Sequence, residues 1–327
     1  MQLKKLKNII KKIVPNFLIL FYRNIRSKTF KEEKRSYGSL NKDKKFYVIR
    51  RTPPASGLFS NYGVALLHLL EAEERKLIPI IDYKNYLSSW KEKKSINNTE
   101  NMWEYYWQQP SNYLLEEIYQ SQNVILSAEL PNQEKIWYPE FLNNDIYIKK
   151  LYEISKKVPL NKKTQEYVNK IYEKIIPKNK NILGVAVRGM DYLSSKFNSG
   201  HPVQPSKEEL LKIVKEKEKE WNVDFIFVTT EEEIVIEIFK KEFKEKLIFV
   251  ERERYRNYNN EKIIPQTNLS TRKNDKYLTG LEYLSEMYIL SKCNSLIAAS
   301  NSGVVAAVIM NGNQYENKYI INLGVYD

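Results

Sequence analysis

The sequence has one cysteine, Cys293, and two histidines, His68 and His201, among 327 residues. A single cysteine excludes a disulfide framework and is typical of a reducing compartment, and these three side chains are too few for a Cys/His zinc site. There is no Asp-x-Asp, the carboxylate pair that commonly holds a metal-bound nucleotide sugar. Walker A, Gly-x-Gly-x-x-Gly and Gly-x-Ser-x-Gly patterns are also missing, so the commonest nucleotide-binding and serine hydrolase signatures do not apply.

The whole chain has a formal net charge of +13, and the positive charge is concentrated at its N-terminal end. Residues 1–45 carry 14 Lys or Arg against 3 Asp or Glu, whereas the remainder carries 39 against 37. A nucleic-acid-binding body would need a basic stripe on its folded face, so the nearly neutral body argues against that class of partner. The length, with 42% hydrophobic residues, predicts two domains with ordinary cores.

The basic N-terminal segment has the pattern of an amphipathic helix, with apolar residues on one face and lysines on the other. The apolar face holds Leu3, Leu6, Ile9, Ile10, Ile13, Phe17 and Phe21, opposite Lys4, Lys5, Lys11 and Lys12. The longest apolar run, residues 17–22, is far short of the ~20 residues of a membrane span, and no signal cleavage site follows it. Two interpretations stay open: residues 1–28 attach peripherally to an anionic membrane at its cytoplasmic face, or the helix docks on the protein's own body.

The first folded element is expected just after the basic tail. Polar, charged residues up to Lys45 favour a linker, so a tail and linker are assigned to residues 1–45. A strand over 46–51, an amphipathic helix and a strand over 78–83 then predict a βαβ unit. Ser60 or Asn61 is the expected N-cap of its helix.

The middle of the chain is less regular. Residues 84–178 are predicted to be mostly helical, with Pro177 as a stop. The aromatic cluster NMWEYYWQQP, residues 101–110, either stacks on a sugar ring or packs in the core. A boundary at 178–181 divides the body into lobes of residues 46–178 and 179–327.

Strands and helices alternate regularly in the C-terminal lobe. Ser206 with Glu209, and Thr230 with Glu233, have the capping pattern of helix starts. The apolar strands are ILGVAVR, DFIFVTT, KLIFVE, SLIAAS and YIINLG. Near-continuous apolar strands alternating with helices predict a parallel sheet covered on both faces. The expected fold is therefore a two-domain α/β protein with a cleft.

Polar residues follow two strands of this predicted sheet at the edge where ligands bind in such folds. Arg188 follows the first strand, and Asn301, Ser302 and Gly303 open the helix after a later one. An arginine fork and the N–H groups of a helix start would form a pyrophosphate clamp, and Gly189 would allow close approach of the ligand.

Other interpretations of these residues are open at this point. Ser302 could be an ordinary N-cap, and Arg188 could pair with Asp191. Glu282 and Glu286 lie one turn apart on the preceding helix, where they could face the rim of the crevice. A carboxylate there could accept the N–H donors of a guanine edge, or the pair could simply form a solvated helix face.

Three segments in order resemble the motifs of the fucosyltransferase superfamily that includes α1,6-, α1,2- and protein O-fucosyltransferases. GVAVRGMDY (184–192) is similar to its His-x-Arg motif, FIFVTTEEE (225–233) to its second motif, and residues 283–312 to its third. GLFSNYGVALLHLLEAEERKLIPII (57–81) resembles the superfamily's N-terminal Gly-rich turn and helix. The chain is especially similar to bacterial members associated with surface-polysaccharide synthesis.

This resemblance implies a GT-B-like α/β fold with two Rossmann-type lobes and a cleft between them, an acceptor-side N-terminal lobe and a nucleotide-sugar-binding C-terminal lobe. It implies GDP-fucose as donor, a glycan or lipid-linked glycan as acceptor, inversion at the anomeric carbon, and neither a required metal nor a separate cofactor. Arg188 matches the arginine that grips the β-phosphate, Ser302 the phosphate-binding serine and Glu286 the acid that meets guanine. The expected donor-binding residues are Arg188, Gly189, Glu286, Asn301, Ser302, Gly303, Gly57 and Asn61.

The sequence departs from the family pattern near the expected catalytic centre. The motif histidine is Ala186 here, and the second arginine of α1,6 members is Gly189. Residues 192–205 hold no acid, so Asp191, Lys196 and His201 are the remaining candidates for a base. Arg188, Asp191 and His201 are therefore the predicted catalytic residues.

Three alternatives accompany the fucosyltransferase hypothesis. The chain could transfer another GDP-activated sugar, such as a heptose or a different deoxyhexose. It could be a catalytically silent module of the same fold that binds glycans or membranes, which the replacement of the motif histidine would suit. A nucleic-acid binder is the third alternative, and the neutral body disfavours it.

Overall fold

The computed structural model describes residues 31–51, 56–86, 88–131, 136–188, 200–255 and 272–326. The predicted amphipathic helix of the tail lies outside these residues, as do Gly189, Asp191 and Lys196. Within the described ranges, no helix combines the length and the apolar character that crossing a bilayer requires.

The N-terminal half builds a four-stranded sheet with the order β1-β4-β2-β3. Its strands are β1 (Glu33–Arg35), β2 (Phe46–Ile49), β3 (Ile78–Ile81) and β4 (Val124–Leu126). Strands β2, β3 and β4 run parallel, and β1 pairs antiparallel with β4. Helix α1 (Leu58–Glu74) joins β2 to β3, which confirms the predicted βαβ unit. Three further helices follow: α2 (Leu115–Ile118), α3 (Asp145–Ser155) and α4 (Lys162–Ile175).

Three sequence predictions for this half are wrong. The expected linker contains β1, an edge strand of charged residues that is held by backbone pairing and so has no apolar signal. The region expected to be mostly helical contains β4 and short 3₁₀ turns at Met102–Tyr105 and Pro139–Asn143. The N-cap of α1 is Gly57, without a side-chain cap, and Asn61 lies inside the helix.

The C-terminal half builds a five-stranded, wholly parallel sheet with the order β7-β6-β5-β8-β9. Its strands are β5 (Ile182–Val187), β6 (Phe225–Thr230), β7 (Leu247–Ile248), β8 (Ser295–Ala299) and β9 (Asn317–Ile321). Its helices are α5 (Lys207–Glu220), α6 (Glu233–Phe243), α7 (Asp275–Leu290) and α8 (Ser302–Asn311). The predicted alternation and the α/β class are confirmed.

One of the two predicted helix caps forms. The Ser206 hydroxyl accepts from the Glu209 N–H at 3.1 Å, and the Glu209 carboxylate accepts from the Ser206 N–H at 2.9 Å, so this capping box is confirmed. The cap predicted at Thr230 is wrong, because Thr230 still belongs to β6 and the N-cap is Glu232. The Thr230 hydroxyl instead accepts from the Glu232 N–H at 3.2 Å.

A single hydrophobic cluster joins helices of both halves. It contains Leu66 of α1, Leu151 of α3, Leu284 of α7 and Val305 of α8, all almost fully buried. The aromatic cluster is part of it, with the five residues Met102, Trp103, Tyr105, Tyr106 and Trp107 at most 2% exposed. The core interpretation of that cluster is therefore confirmed, and stacking of its rings on a sugar is excluded. The division into lobes at 178–181 stays a prediction.

Candidate functional site

A pocket opens at the carboxyl edge of the C-terminal sheet, beside β5. The chain runs from β5 to β6 and β7 on one side, and to β8 and β9 on the other, so β5 marks the point where the strand order reverses. Open parallel sheets bind ligands at such a switch point. The pocket is lined by Ala186, Val187, Arg188, Thr229, Thr230, Glu231, Tyr283, Glu286, Met287, Asn301 and Val304. Sequence-predicted residues from three segments thus converge there.

Arg188 follows β5 directly and forms an ion pair with Glu231, which follows β6. Their side chains are 13% and 12% exposed, so the pair lies largely out of water. The sequence had suggested Asp191 as the partner and had not singled out Glu231. A signal was present, since Glu231 follows a predicted strand at the same edge as Arg188. An anionic ligand that reaches Arg188 must share the guanidinium with Glu231 or displace that carboxylate.

The start of α8 is capped by Asn301 from inside the pocket. The Asn301 Oδ1 atom accepts from the N–H groups of Gly303 at 3.0 Å and Val304 at 3.1 Å. Ser302 is the first residue of the helix, so its interpretation as the N-cap is wrong. The prediction that the Gly303 N–H is free for a ligand is also wrong here, because Asn301 already occupies it. A ligand that uses this amide must turn the Asn301 side chain away.

Gly303 has a packing role at the same place. A Cβ atom at this position would clash with the Tyr283 hydroxyl and would lie 2.9 Å from the Met287 Sδ atom. The glycine therefore allows α8 to approach α7 closely, and it brings Tyr283 over the start of α8.

Glu286 lines the pocket, but it does not lie on a solvent-exposed rim. The residue is fully buried. Its Oε1 atom accepts from Arg252 Nε at 2.9 Å and from an Arg254 terminal nitrogen at 3.3 Å. Its Oε2 atom accepts from a second Arg252 nitrogen at 2.9 Å and from the Thr229 hydroxyl at 2.8 Å. Both oxygens are therefore engaged, and a guanine edge would have to break a buried ion pair to reach them.

The pKa values of Arg252 and Arg254, which share the Glu286 carboxylate, shift in opposite directions. Burial lowers the pKa of Arg252, but the attraction and hydrogen bonds of Glu286 outweigh it, so the pKa is raised. The pKa of Arg254 is lowered, mainly by burial. The charge of Glu286 raises this pKa, and the positive charge of Arg252 lowers it further. Both arginines lie beyond β7 and were not among the candidate residues from the sequence. They come just after the predicted strand KLIFVE, whose position at the ligand-binding edge could have identified them.

Glu282 is also paired rather than solvated. It is 8% exposed and accepts from both terminal nitrogens of Arg272, at 2.6 and 2.8 Å. The interpretation of Glu282 and Glu286 as a solvated helix face is therefore wrong. Helical spacing places the two acids on one face, but it does not indicate that arginines from other segments cover that face.

His201 lies in the segment that returns to the same edge of the sheet. The pKa of the imidazole is lowered, mainly by partial burial and to a lesser extent by the positive charge of Arg188. The residue as a whole remains exposed to solvent. Three residues later, the Gln204 side chain donates to the Ser300 carbonyl at 3.0 Å, which ties this segment to the end of β8. A neutral imidazole close to Arg188 has the chemistry of a general base.

Gly57 and Asn61 lie outside the lining of this pocket, at the start of α1. The Asn61 Oδ1 atom accepts from Arg51 Nε at 3.3 Å, and its carbonyl accepts from the Tyr83 hydroxyl at 3.1 Å. Phe59, between them in sequence, packs edge-on against the pocket residue Tyr283 with ring centroids 4.9 Å apart. The start of α1 is therefore adjacent to the pocket across this aromatic contact.

No cluster of three or more His, Cys, Asp or Glu side chains that could hold a metal ion occurs in the described ranges. The polar groups of the pocket are instead cationic, hydroxyl and amide groups, together with the carboxylates of Glu231 and Glu286. Such a set can bind an anion directly through Arg188.

Comparisons with known proteins give fold-level matches to fucosyltransferases. No family model matches the chain, and no curated protein matches it. The α-1,6-fucosyltransferase NodZ soaked with GDP-fucose matches with a TM-score of 0.44 and 15% identity, over 82% of this chain and 93% of that chain. Fucosyltransferase NodZ from Bradyrhizobium matches with a TM-score of 0.43 and 14% identity, over 81% and 92%. POFUT1 in complex with GDP matches with a TM-score of 0.48 and 10% identity, over 86% and 99%. At these scores the likeness does not by itself assign a donor or a reaction to the chain.

The buried network predicts unequal effects of two neighbouring substitutions. Glu286→Gln leaves two buried guanidinium groups without a counter-charge, and we expect it to lower the free energy of unfolding by about 3–5 kcal/mol. Glu282→Gln, one turn earlier on α7, should cost about 1 kcal/mol or less, because Arg272 is 24% exposed and retains Asp275 at 2.8 Å. Urea denaturation measures both. Equal losses would contradict the central role of Glu286.

Proposed function

We propose that the chain is a glycosyltransferase that moves fucose from GDP-fucose to a glycan acceptor, with inversion and without a metal. The supporting observation is the convergence of Arg188, Thr229, Thr230 and Asn301 on one pocket at the switch point of a parallel sheet. The sequence motifs that resemble the fucosyltransferase superfamily supply these same residues. The acceptor would belong to surface-polysaccharide synthesis.

In this reaction the donor diphosphate replaces Glu231 as the partner of Arg188. The acceptor hydroxyl oxygen forms a bond to the anomeric carbon while the bond from that carbon to the β-phosphate oxygen breaks, and GDP leaves with the bonding electrons. Negative charge grows on the leaving oxygen, and the fixed guanidinium stabilises it where preorganised donors act most strongly. The hydroxyl proton passes to a base, for which His201 and Asp191 are the candidates.

The Glu286 network would keep this pocket in shape. Arg252 donates to the Thr230 carbonyl at 3.0 Å as well as to Glu286, and Arg254 donates to the same carbonyl at 3.3 Å. The end of β6, from which Glu231 projects, is thereby fixed next to Arg188. We assign Glu286 this positioning role in place of a contact to guanine.

Because Ala186 replaces the superfamily's motif histidine, the donor sugar has to be identified by experiment. It lines the pocket at the position of the superfamily's motif histidine, and its methyl group offers no hydrogen bond. A different GDP-activated sugar, such as a heptose or another deoxyhexose, is the alternative that this replacement favours. A silent binding module would show no donor hydrolysis above background.

The basic residues 1–28 would hold the enzyme at the cytoplasmic face of a membrane, where lipid-linked glycans are built. Several Lys and Arg near a surface of anionic lipid each contribute about 1 kcal/mol to attachment. Unchanged liposome retention after deletion of residues 1–30 would contradict this part of the proposal.

Removal of the guanidinium tests the leaving-group role. Arg188→Ala should lower kcat/KM for transfer by about 10²–10³, because nothing else in the pocket supplies a fixed cation at that point in the described residues. Arg35→Ala is the matched control, since Arg35 lies on β1, is 54% exposed and pairs only with nearby Glu33 in the described residues. Near-normal turnover in the Arg188 variant would contradict the assignment.

The pH profile tests His201 as the base. Because the pKa of His201 is lowered from its ordinary value of 6.5, the neutral imidazole persists to lower pH. We expect kcat/KM to stay level at neutral pH and to fall only as the pH drops through a pKa below 6.5, where imidazolium can no longer accept a proton. His201→Gln should remove this acid limb and lower the plateau by about 10²–10⁴. An unchanged acid limb in the variant would exclude His201 and favour Asp191.

A further inference from the structure

The N-terminal sheet has a switch point of its own, and an arginine lies there. Strand β2 pairs with β3 on one side and with β4 on the other, so the strand order reverses at β2, as it does at β5 in the other sheet. Arg51 is the second residue after the carboxyl end of β2, at the same edge of its sheet as Arg188 is in the other sheet. Glu129 lies just beyond the neighbouring strand β4. The ligand-binding position of the second sheet thus carries a guanidinium that the donor site does not use.

Arg51 is held by neutral oxygens. Its Nε atom donates to Asn61 Oδ1 at 3.3 Å, and one terminal nitrogen donates to the hydroxyls of Ser56 at 3.3 Å and Ser60 at 3.2 Å. In the described residues, the nearest carboxylate is that of Glu129, with a nitrogen to oxygen distance of 4.0 Å. These bonds are long for a charged donor, so they orient the side chain and leave much of its charge uncompensated.

Other buried arginines differ in this respect. Arg50, the preceding residue, contacts a Glu33 oxygen at 3.0 Å, and Arg252 contacts Glu286 at 2.9 Å. The Arg51 side chain is only 10% exposed, yet it has no carboxylate within hydrogen-bond distance among the described residues. Burial is the main cause that lowers the pKa of Arg51. Its ion pair with Glu129 at 4.0 Å is looser than the pairs of Arg50 and Arg252, so an anionic ligand would supply a closer counter-charge to this buried guanidinium.

We infer that Arg51 binds an oxyanion of the acceptor, either a carboxylate of an acidic sugar or a phosphate of a phosphate-bearing glycan. The planar guanidinium accepts such groups in a bidentate pair, and Ser56, Ser60 and Asn61 hold the arginine in one orientation for it. This inference rests on the proposed function, because it assigns the N-terminal sheet to the acceptor.

The site lies on the side of the N-terminal half that faces the donor pocket. Ser60 and Asn61 directly follow Phe59 in sequence, and Phe59 packs against Tyr283, which lines that pocket. An acceptor anchored by its oxyanion at Arg51 therefore extends toward the pocket of Arg188. Selection of acidic over neutral acceptors follows from this anchoring.

Binding of small oxyanions to the full chain tests the inference without requiring turnover. The Arg188→Ala variant serves as the parent, so that phosphate cannot bind at the donor pocket through that arginine. The probes are methyl β-glucuronide for a carboxylate, glycerol phosphate for a phosphate, and neutral methyl β-glucoside as the control, each titrated by ligand-observed NMR. Arg51→Gln and Arg51→Lys are then added to the parent, and circular dichroism checks that each variant is folded.

We expect one or both anionic probes to bind the parent, and the neutral glucoside to bind more weakly. Arg51→Gln should weaken the anionic probe by about tenfold or more. Arg51→Lys keeps the charge but loses the fork, so an intermediate loss supports bidentate recognition even if the glutamine variant fails to fold. Preference for glucuronide indicates an acidic-sugar acceptor, and preference for glycerol phosphate indicates a phosphate-bearing one.

Equal affinity in the parent and the Arg51 variants, or no binding of either anion, would overturn the inference. Binding of GDP to the wild-type chain is measured separately. If GDP fails to bind while the anions bind at Arg51, the proposed function fails and the anion site stands. If GDP binds and the Arg51 substitutions change nothing, the donor assignment survives and the acceptor site does not.

Discussion

The candidate site depends on one buried carboxylate. Glu286 comes from α7, yet it binds Arg252 and Arg254 from beyond β7 and Thr229 from β6, so three separate segments meet at its two oxygens. Two cations and one anion that are almost fully buried leave little freedom for rearrangement, since removal of the carboxylate leaves buried positive charge without the anion it contacts. The end of β6 is thereby fixed, and Glu231 is held where it meets Arg188. The ion pairs of Glu286 with Arg252 and Arg254 therefore help to set the shape of the pocket.

Each sheet has an arginine near the carboxyl end of its switch-point strand, and the charges of the two arginines are compensated to different degrees. Arg188 is paired with Glu231, so binding of the proposed diphosphate there would exchange one anion for another. Arg51 is surrounded by hydroxyl and amide oxygens, with Glu129 at 4.0 Å. The Arg188–Glu231 ion pair would suit the proposed donor site, because Glu231 can replace the charged product at Arg188 when that product leaves. The neutral groups that orient Arg51 would suit recognition of an acceptor. The contact of Phe59 with Tyr283 joins the start of α1, which holds Arg51, to the pocket of Arg188.

Much of this architecture could be predicted from the sequence, because buried parallel strands have a strong signal. Arg188 directly follows the apolar segment of β5. Its position at the end of a predicted strand was enough to predict that it lies at the ligand-binding edge of the sheet. The strand β1 could not be found in this way, since a charged edge strand is stabilised by backbone pairing. The spacing of Glu282 and Glu286 correctly placed both acids on one face of a helix. It could not reveal that Arg272, Arg252 and Arg254 cover this face, because those contacts span 10 to 34 residues.

The most direct test of the central claim is calorimetric titration of the purified full chain with GDP-fucose, GDP-mannose, UDP-glucose and GDP in the presence of EDTA. The account predicts that the GDP compounds bind without metal, that GDP-fucose is preferred among the sugars, and that Arg188→Ala abolishes this binding. Equal binding of UDP-glucose would contradict the guanine-nucleotide assignment. Absence of all nucleotide binding would contradict the proposal that the pocket beside β5 is a donor site.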